Sequence, residues 1–282
     1  MDIIKTTVHA VTRRPFILLL IAVLMLAVGV LNAFVPVMAI LIGIVNMAGG
    51  GIIESLLALL QMLIDPGILP ALTIFLGVMT LLVSIVGGIL LPGYLSVVED
   101  AISKGDRQLK TKSIFLKSLK GRFLKFFFMT LKTMVLAILL VIFLMVASVP
   151  AIIVTRAALT TKPNLMLGAM FIDFVTVGVL FMSSSFFQSY VYMWYMAASK
   201  GEKKPFKAGK AVADRRFWGL VLNLFLFGAV FAVMIYLIYL SNSRILRYTA
   251  GWAFATAFFT TLAVYLVKTY REGSMPPENN SK

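Results

Sequence analysis

One carboxylate in this sequence stands where a carboxylate is costly. Asp173 lies in Leu-Gly-Ala-Met-Phe-Ile-Asp-Phe-Val, inside a long apolar run. At the centre of a lipid-spanning helix an aspartate costs about 3 kcal/mol unless it is paired, protonated or hydrated. Two chemistries fit it. It can be an ion or proton site, or the counter-ion of a cationic substrate. It can equally be the structural partner of an outer-side cation such as Arg156, Arg244 or Arg247. Ser183, Ser184, Ser185 and Gln188 follow in the same run, and Asn223 sits in the next. With Asp173 they form the candidate intramembrane polar site. They suit a polar path for a small solute, or hydrogen bonds between helices worth about 0.6 kcal/mol each.

Other reactive constellations are missing from the sequence. His9 is the single histidine and there is no cysteine, so a zinc site built from His and Cys cannot be assembled. Neither a Gly-x-Ser-x-Gly elbow nor a Gly-x-x-x-x-Gly-Lys-Ser/Thr phosphate loop occurs. The expectation is a protein that is not an enzyme, with no metal and no cofactor.

The elements that must position these residues follow from composition. The chain has 282 residues, of which 61% are hydrophobic and 13% charged, and a mean hydropathy of +0.99. A soluble domain averages roughly 45–50% apolar and about 25% charged residues. This excess excludes an ordinary water-soluble enzyme and a disordered chain, and the lack of cysteine excludes a disulfide scaffold. Apolar runs long enough to cross about 30 Å of hydrocarbon occur at residues 16–38, 69–98, 126–149, 165–196, 217–240 and 250–267. They lack the alternation of a membrane β-barrel. The fold class is therefore all-α, a polytopic membrane protein with six transmembrane helices. Residues 1–271 are expected to form one membrane domain and residues 272–282 a disordered cytoplasmic tail. The first run is too long for the core of a cleavable signal and is read as an anchor. Pro150 is expected to stop the third span. Residues 52–64, between Gly49-Gly50-Gly51 and Asp65-Pro66-Gly67, are too short to span and read as a short outer helix with a polar stripe at Glu54, Ala58, Gln61 and Asp65.

Charge sets the orientation. The chain carries 26 Lys and Arg against 11 Asp and Glu, a formal net charge of +15. With six spans, every Lys and Arg except Arg156, Lys162, Arg244 and Arg247 falls on the side of the N-terminus. Cation-rich loops stay in the cytoplasm. Both termini are thus expected to be cytoplasmic, in the inner membrane.

Segments repeat. Tyr94, Ala101, Ser103, Lys104 and Gly105 match Tyr190, Ala197, Ser199, Lys200 and Gly201 at constant offset, with Asp106 against Glu202. Ala10-Val11-Thr12-Arg13-Arg14-Pro15-Phe16 echoes Ala211-Val212-Ala213-Asp214-Arg215-Arg216-Phe217, and Gly121-Arg122-Phe123 is a fainter copy. The implied unit is a basic amphipathic helix, a helix out and a helix back, present three times and always with the same polarity. These boundaries resemble an uncharacterised group of prokaryotic six-helix membrane proteins, similar to the membrane domain fused to some glycerophosphodiester phosphodiesterases. That resemblance implies a fold and a membrane-embedded role. It implies no activity, since a fused catalytic domain is not expected here.

The basic segments suggest a partner. Lys110, Lys112, Lys117, Lys120, Arg122 and Lys125 alternate with Ile114, Phe115, Leu116, Leu119 and Phe123, and a second cluster holds Lys207, Lys210, Arg215 and Arg216. Cations near an anionic leaflet contribute about 1 kcal/mol each, and interleaved Phe and Leu favour lipid over nucleic acid. These ten residues are the candidate lipid-headgroup contacts. The functional expectation is a scaffold or accessory protein that binds anionic lipid or a membrane-protein partner through basic amphipathic helices. The alternative is a small-solute transporter or channel using Asp173 and residues 183–188. Tyr190, Tyr192, Trp194, Tyr195, Phe206, Phe217 and Trp218 are expected to form an interfacial aromatic belt.

Overall fold

The computed structural model describes residues 2–34, 61, 65–103, 111–160, 163–241 and 243–274. Among these, helices are the only extended regular elements. They are α1 (Asp2–Arg13), α2 (Phe16–Phe34), α3 (Leu69–Ile102), α4 (Thr111–Thr160), α5 (Met166–Ser199), α6 (Pro205–Arg215), α7 (Phe217–Tyr239) and α8 (Arg244–Ser274), with a 3-10 turn at Pro163–Leu165 before α5. The helices α3, α4, α5, α7 and α8 are each long and apolar enough to cross a membrane. The sixth candidate span is the α1–α2 pair, bent by 95°. Pro15 explains the bend: it lacks an N–H and pushes Arg14 out of helical conformation. The protein is membrane-embedded and all-helical. The expected short outer helix at 52–64 lies outside the described residues, apart from Gln61. So do residues 35–38 at the end of the first expected span, Lys110, and residues 275–282 of the expected tail, whose first three residues, 272–274, belong instead to the last turn of α8.

Helix α4 differs from the sequence reading in two ways. Pro150 does not stop the third span, because α4 runs through it to Thr160. A proline removes one backbone hydrogen bond, and a membrane-spanning helix tolerates that when its surroundings compensate. The basic segment before that span is also not a separate helix. Residues 111–125 are the first turns of α4.

The described residues group into two compact units. Unit 1 draws on Met1–Val30, Ser84–Thr130 and Gln188–Lys282. Its core joins Ile17, Val97, Val98, Phe126, Met193, Leu220, Val264 and Tyr270, all almost completely buried. Close approach of α3 and α4 here needs Gly93, where a Cβ would run into the Phe115 ring. Ser118 Oγ then donates to the Pro92 carbonyl at 2.8 Å. Phenylalanines lock α7 to α8, with the Phe231 and Phe258 rings 4.8 Å apart. Trp252 Nε1 donates to the Ala22 carbonyl at 2.9 Å and ties α8 to α2.

Unit 2 draws on Leu31–Val83 and Leu131–Phe187. Its buried side chains are small and few among the described residues: Thr80, Thr133, Ala151, Ile152, Ala158 and Ala169. Leu167 and Phe174 stand 83% and 79% exposed. Surface of that kind is stable against acyl chains, not water.

Candidate functional site

The cations expected at headgroups divide into two populations. The first is spent on helix ends. A helix leaves its last carbonyls without partners, and its C-terminus carries partial negative charge. Arg13 Nη1 donates to the Ser103 carbonyl, one residue beyond α3, at 2.9 Å. Arg122 donates to the Ser199 carbonyl, the last residue of α5. Arg215 Nη1 donates to the Gly273 carbonyl in the last turn of α8, at 2.9 Å. Arg13 precedes α2 and holds the end of α3, Arg122 lies early in α4 and holds the end of α5, and Arg215 precedes α7 and holds the end of α8. Ser103 and Ser199, paired in the sequence comparison, thus play the same part.

The α5 terminus shows why side chains are needed there. Gly201 takes φ +83°, a left-handed conformation suited to glycine. The Glu202 amide donates to the Ala197 carbonyl at 3.2 Å and the Gly201 amide to the Ala198 carbonyl at 3.0 Å. This Schellman motif leaves the Ser199 carbonyl for Arg122, and Lys125 Nζ donates to the Glu202 carbonyl.

Two ion pairs extend the pattern. Arg14 Nη2 reaches Asp100 Oδ2 at 2.7 Å, with its Nη1 donating to Thr111 Oγ1 at 3.0 Å. Arg216 Nη1 reaches Glu272 Oε2 at 3.0 Å. Of the ten candidate headgroup contacts, Arg122, Lys125, Arg215 and Arg216 therefore bond to protein.

The second population is free. Lys112, Lys117, Lys120, Lys207 and Lys210 are exposed. Among the described residues none of them forms an ion pair or a side-chain hydrogen bond. Helix α6 aims its lysines outward because its small face is occupied. Gly209, Val212 and Ala213 are buried, and a Cβ at Gly209 would strike the Met193 carbonyl carbon and oxygen at 2.7 Å.

The aromatic cluster packs differently from an interfacial belt. Tyr190, Tyr192, Trp194, Tyr195 and Phe206 lean on the unit 1 core, with the Trp194 and Phe206 rings 5.0 Å apart. Tyr190 donates to Asp214. Trp218, 70% exposed, is the member that faces outward.

The intramembrane polar residues divide between the two units. Asp173 on α5 accepts from Thr155 Oγ1 of α4, at 2.9 Å to each carboxylate oxygen, within unit 2. It takes part in no ion pair among the described residues. Ser183, Ser184 and Ser185 begin ten residues further along the same helix, about 15 Å by helical rise. Gln188 and Asn223 belong to unit 1. Asn223 Nδ2 donates to the Gly219 carbonyl of its own helix at 2.7 Å.

Comparison with known proteins adds no relative. No protein-family profile, curated protein or solved structure matches the chain.

A polar cleft of about 470 Å³ opens among α1, α7 and α8 in unit 1. On α7 it is lined by Gly219, Leu220, Asn223 and Phe227, which form one stripe. Tyr265, Lys268, Thr269 and Glu272 of α8 fall at i, i+3, i+4 and i+7 and form the facing stripe. Arg216 closes one end. The Tyr265 hydroxyl faces Thr269 and Asn223, and its ring lies 5.4 Å from that of Phe227. Sequence reasoning names Asn223 and Arg216 but not Tyr265, Thr269 or Glu272. The signal was available in the spacing, hidden because the apolar run ends at residue 267 while the helix continues to Ser274.

Proposed function

We propose that this chain is a non-enzymatic scaffold of the cytoplasmic membrane, and that its exposed lysines gather anionic lipid headgroups around it. One observation carries the reading. Lys112, Lys117, Lys120, Lys207 and Lys210 are exposed and have no partner among the described residues, while neighbouring arginines bond to helix ends. An arginine bonded to a carbonyl supports the fold. An exposed lysine with no partner adds attraction to an anionic surface, about 1 kcal/mol each before screening. The apolar face of α6 is packed on protein, so headgroup attraction on that helix is electrostatic and not driven by insertion.

The reading includes orientation: both termini lie in the cytoplasm, with the free lysines beside the cytoplasmic leaflet. It also includes a threefold repeat. Support for the repeat comes from the arginine clips, in which Arg13, Arg122 and Arg215 each hold the end of the returning helix of their own hairpin.

The test uses the full chain reconstituted in mixed bilayers. With Trp194 and Trp252 changed to Phe, the fluorescence of Trp218 reports on neighbouring lipid. Brominated phosphatidylglycerol should quench it more strongly than brominated phosphatidylcholine, and high salt should reduce the difference. Changing Lys112, Lys117, Lys120, Lys207 and Lys210 together to Gln should abolish most of the preference. A variant that keeps its preference would refute the proposal.

A further inference from the structure

We infer that the cleft among α1, α7 and α8 is a discrete binding site for the phosphodiester headgroup of one glycerophospholipid. It rests on the reading of the chain as a binder of anionic lipid, but uses different residues. Polar side chains in spanning helices are costly without partners. Here Asn223, Tyr265, Lys268 and Thr269 face one cleft from two helices. Their stripes run from charged residues at the helix ends toward Phe227 on α7, a gradient that suits an amphiphile.

Charge selects the ligand class. Arg216 and Glu272 neutralise one another at 3.0 Å. Lys268 forms no ion pair among the described residues and leaves the cleft with one net positive charge. A phosphodiester carries one negative charge and only acceptor oxygens. Lys268 supplies the ammonium, and the Tyr265 hydroxyl, beside Thr269 and Asn223, supplies a further donor. A second anion such as a free carboxylate would meet Glu272.

Geometry selects a lipid as the source. Next to the cleft, α7 presents Leu222, Leu226 and Val230, each more than half exposed. These form an apolar track on which acyl chains can lie while the headgroup sits between α7 and α8. The volume of about 470 Å³ falls in the range of small-molecule sites.

Native mass spectrometry of the detergent-solubilised full chain tests this with phosphatidylglycerol as the probe. The wild type should hold one lipid through delipidation and in high salt. Lys268→Gln should weaken that binding about tenfold, the loss expected for one charge-assisted contact. Lys268→Arg should retain it, which separates lost binding from lost folding. The variant with Lys112, Lys117, Lys120, Lys207 and Lys210 changed to Gln should also keep the single lipid, although it loses the diffuse preference. Full retention by Lys268→Gln would overturn the cleft and leave the diffuse reading standing. Displacement of the lipid by inorganic phosphate at equal concentration would overturn the assignment of a lipid as the ligand.

Discussion

At the scale of single residues, Asp173 shows how a costly group is accommodated with no charge partner among the described residues. Its carboxylate takes a hydroxyl hydrogen from Thr155, at 2.9 Å to each oxygen. Hydrogen bonds to charged groups contribute about 1.5–3 kcal/mol, and interhelical ones in membranes reach about 1.7 kcal/mol. Thr155→Val and Asp173→Leu should therefore each lower the stability of the protein in detergent, by about 1–2 kcal/mol. The double variant should lose no more than the worse single one, because both remove the same contact. Additive losses would mean that each residue has other work. Gly209 carries a different constraint. Its missing Cβ is what lets α6 rest on the backbone of α5, 2.7 Å from where that atom would stand. Backbone cannot swing aside as a side chain can. Gly209→Val should cost about 1–3 kcal/mol as overpacking, measured as a fall in melting temperature. Neither contact is legible in the sequence. Asp173 is conspicuous there, but its partner lies eighteen residues away on another helix and is an ordinary threonine. Gly209 looks like any glycine in a basic segment.

At the scale of elements, the helix ends are where charge does structural work. The apolar runs are legible because about 20 consecutive apolar residues have few other uses. Their ends are not, because a helix continues wherever its terminal carbonyls find donors. Thus α3 and α5 pass the expected ends at 98 and 196 and reach Ile102 and Ser199. The echoed Arg13 and Arg215, and the fainter Arg122, are visible in the sequence as basic boundary residues. Their bonds to the Ser103, Gly273 and Ser199 carbonyls are not. Removing one clip should fray one helix end and spare the rest. Arg122→Ala should speed amide hydrogen exchange at residues 199–202, with a local loss of about 1.5–3 kcal/mol for a bond from a charged donor. Arg122→Lys should recover part of it, since lysine keeps the charge beside the negative helix end but loses the planar fork. Exchange in α7, which contains no part of this clip, should not change. A uniform rise across the protein would instead make Arg122 part of the global core.

At the scale of the whole molecule, the sequence carries orientation through an imbalance that no single contact explains. Four cations supply the sparse side: Arg156, Lys162, Arg244 and Arg247. The sequence reading assigns the remaining cations to the opposite ends of the spans. Many of them bond to protein, so their distribution serves fold and topology together. That double use is why the net charge of +15 reads poorly as evidence of a nucleic-acid partner. Since the chain has no cysteine, single substitutions report sidedness without background. Ser113→Cys and Lys207→Cys lie among the basic segments, and Thr160→Cys and Ser243→Cys lie beside the sparse cations; all four positions are exposed. In right-side-out vesicles a membrane-impermeant maleimide should label Thr160→Cys and Ser243→Cys at once. Ser113→Cys and Lys207→Cys should label only after the membrane is permeabilised. Immediate labelling of Lys207→Cys would place the free lysines away from the cytoplasmic leaflet. The headgroup reading would then lose its anionic surface. A split between Ser113→Cys and Lys207→Cys would mean an odd number of crossings between them, which α4 and α5 as a hairpin do not allow.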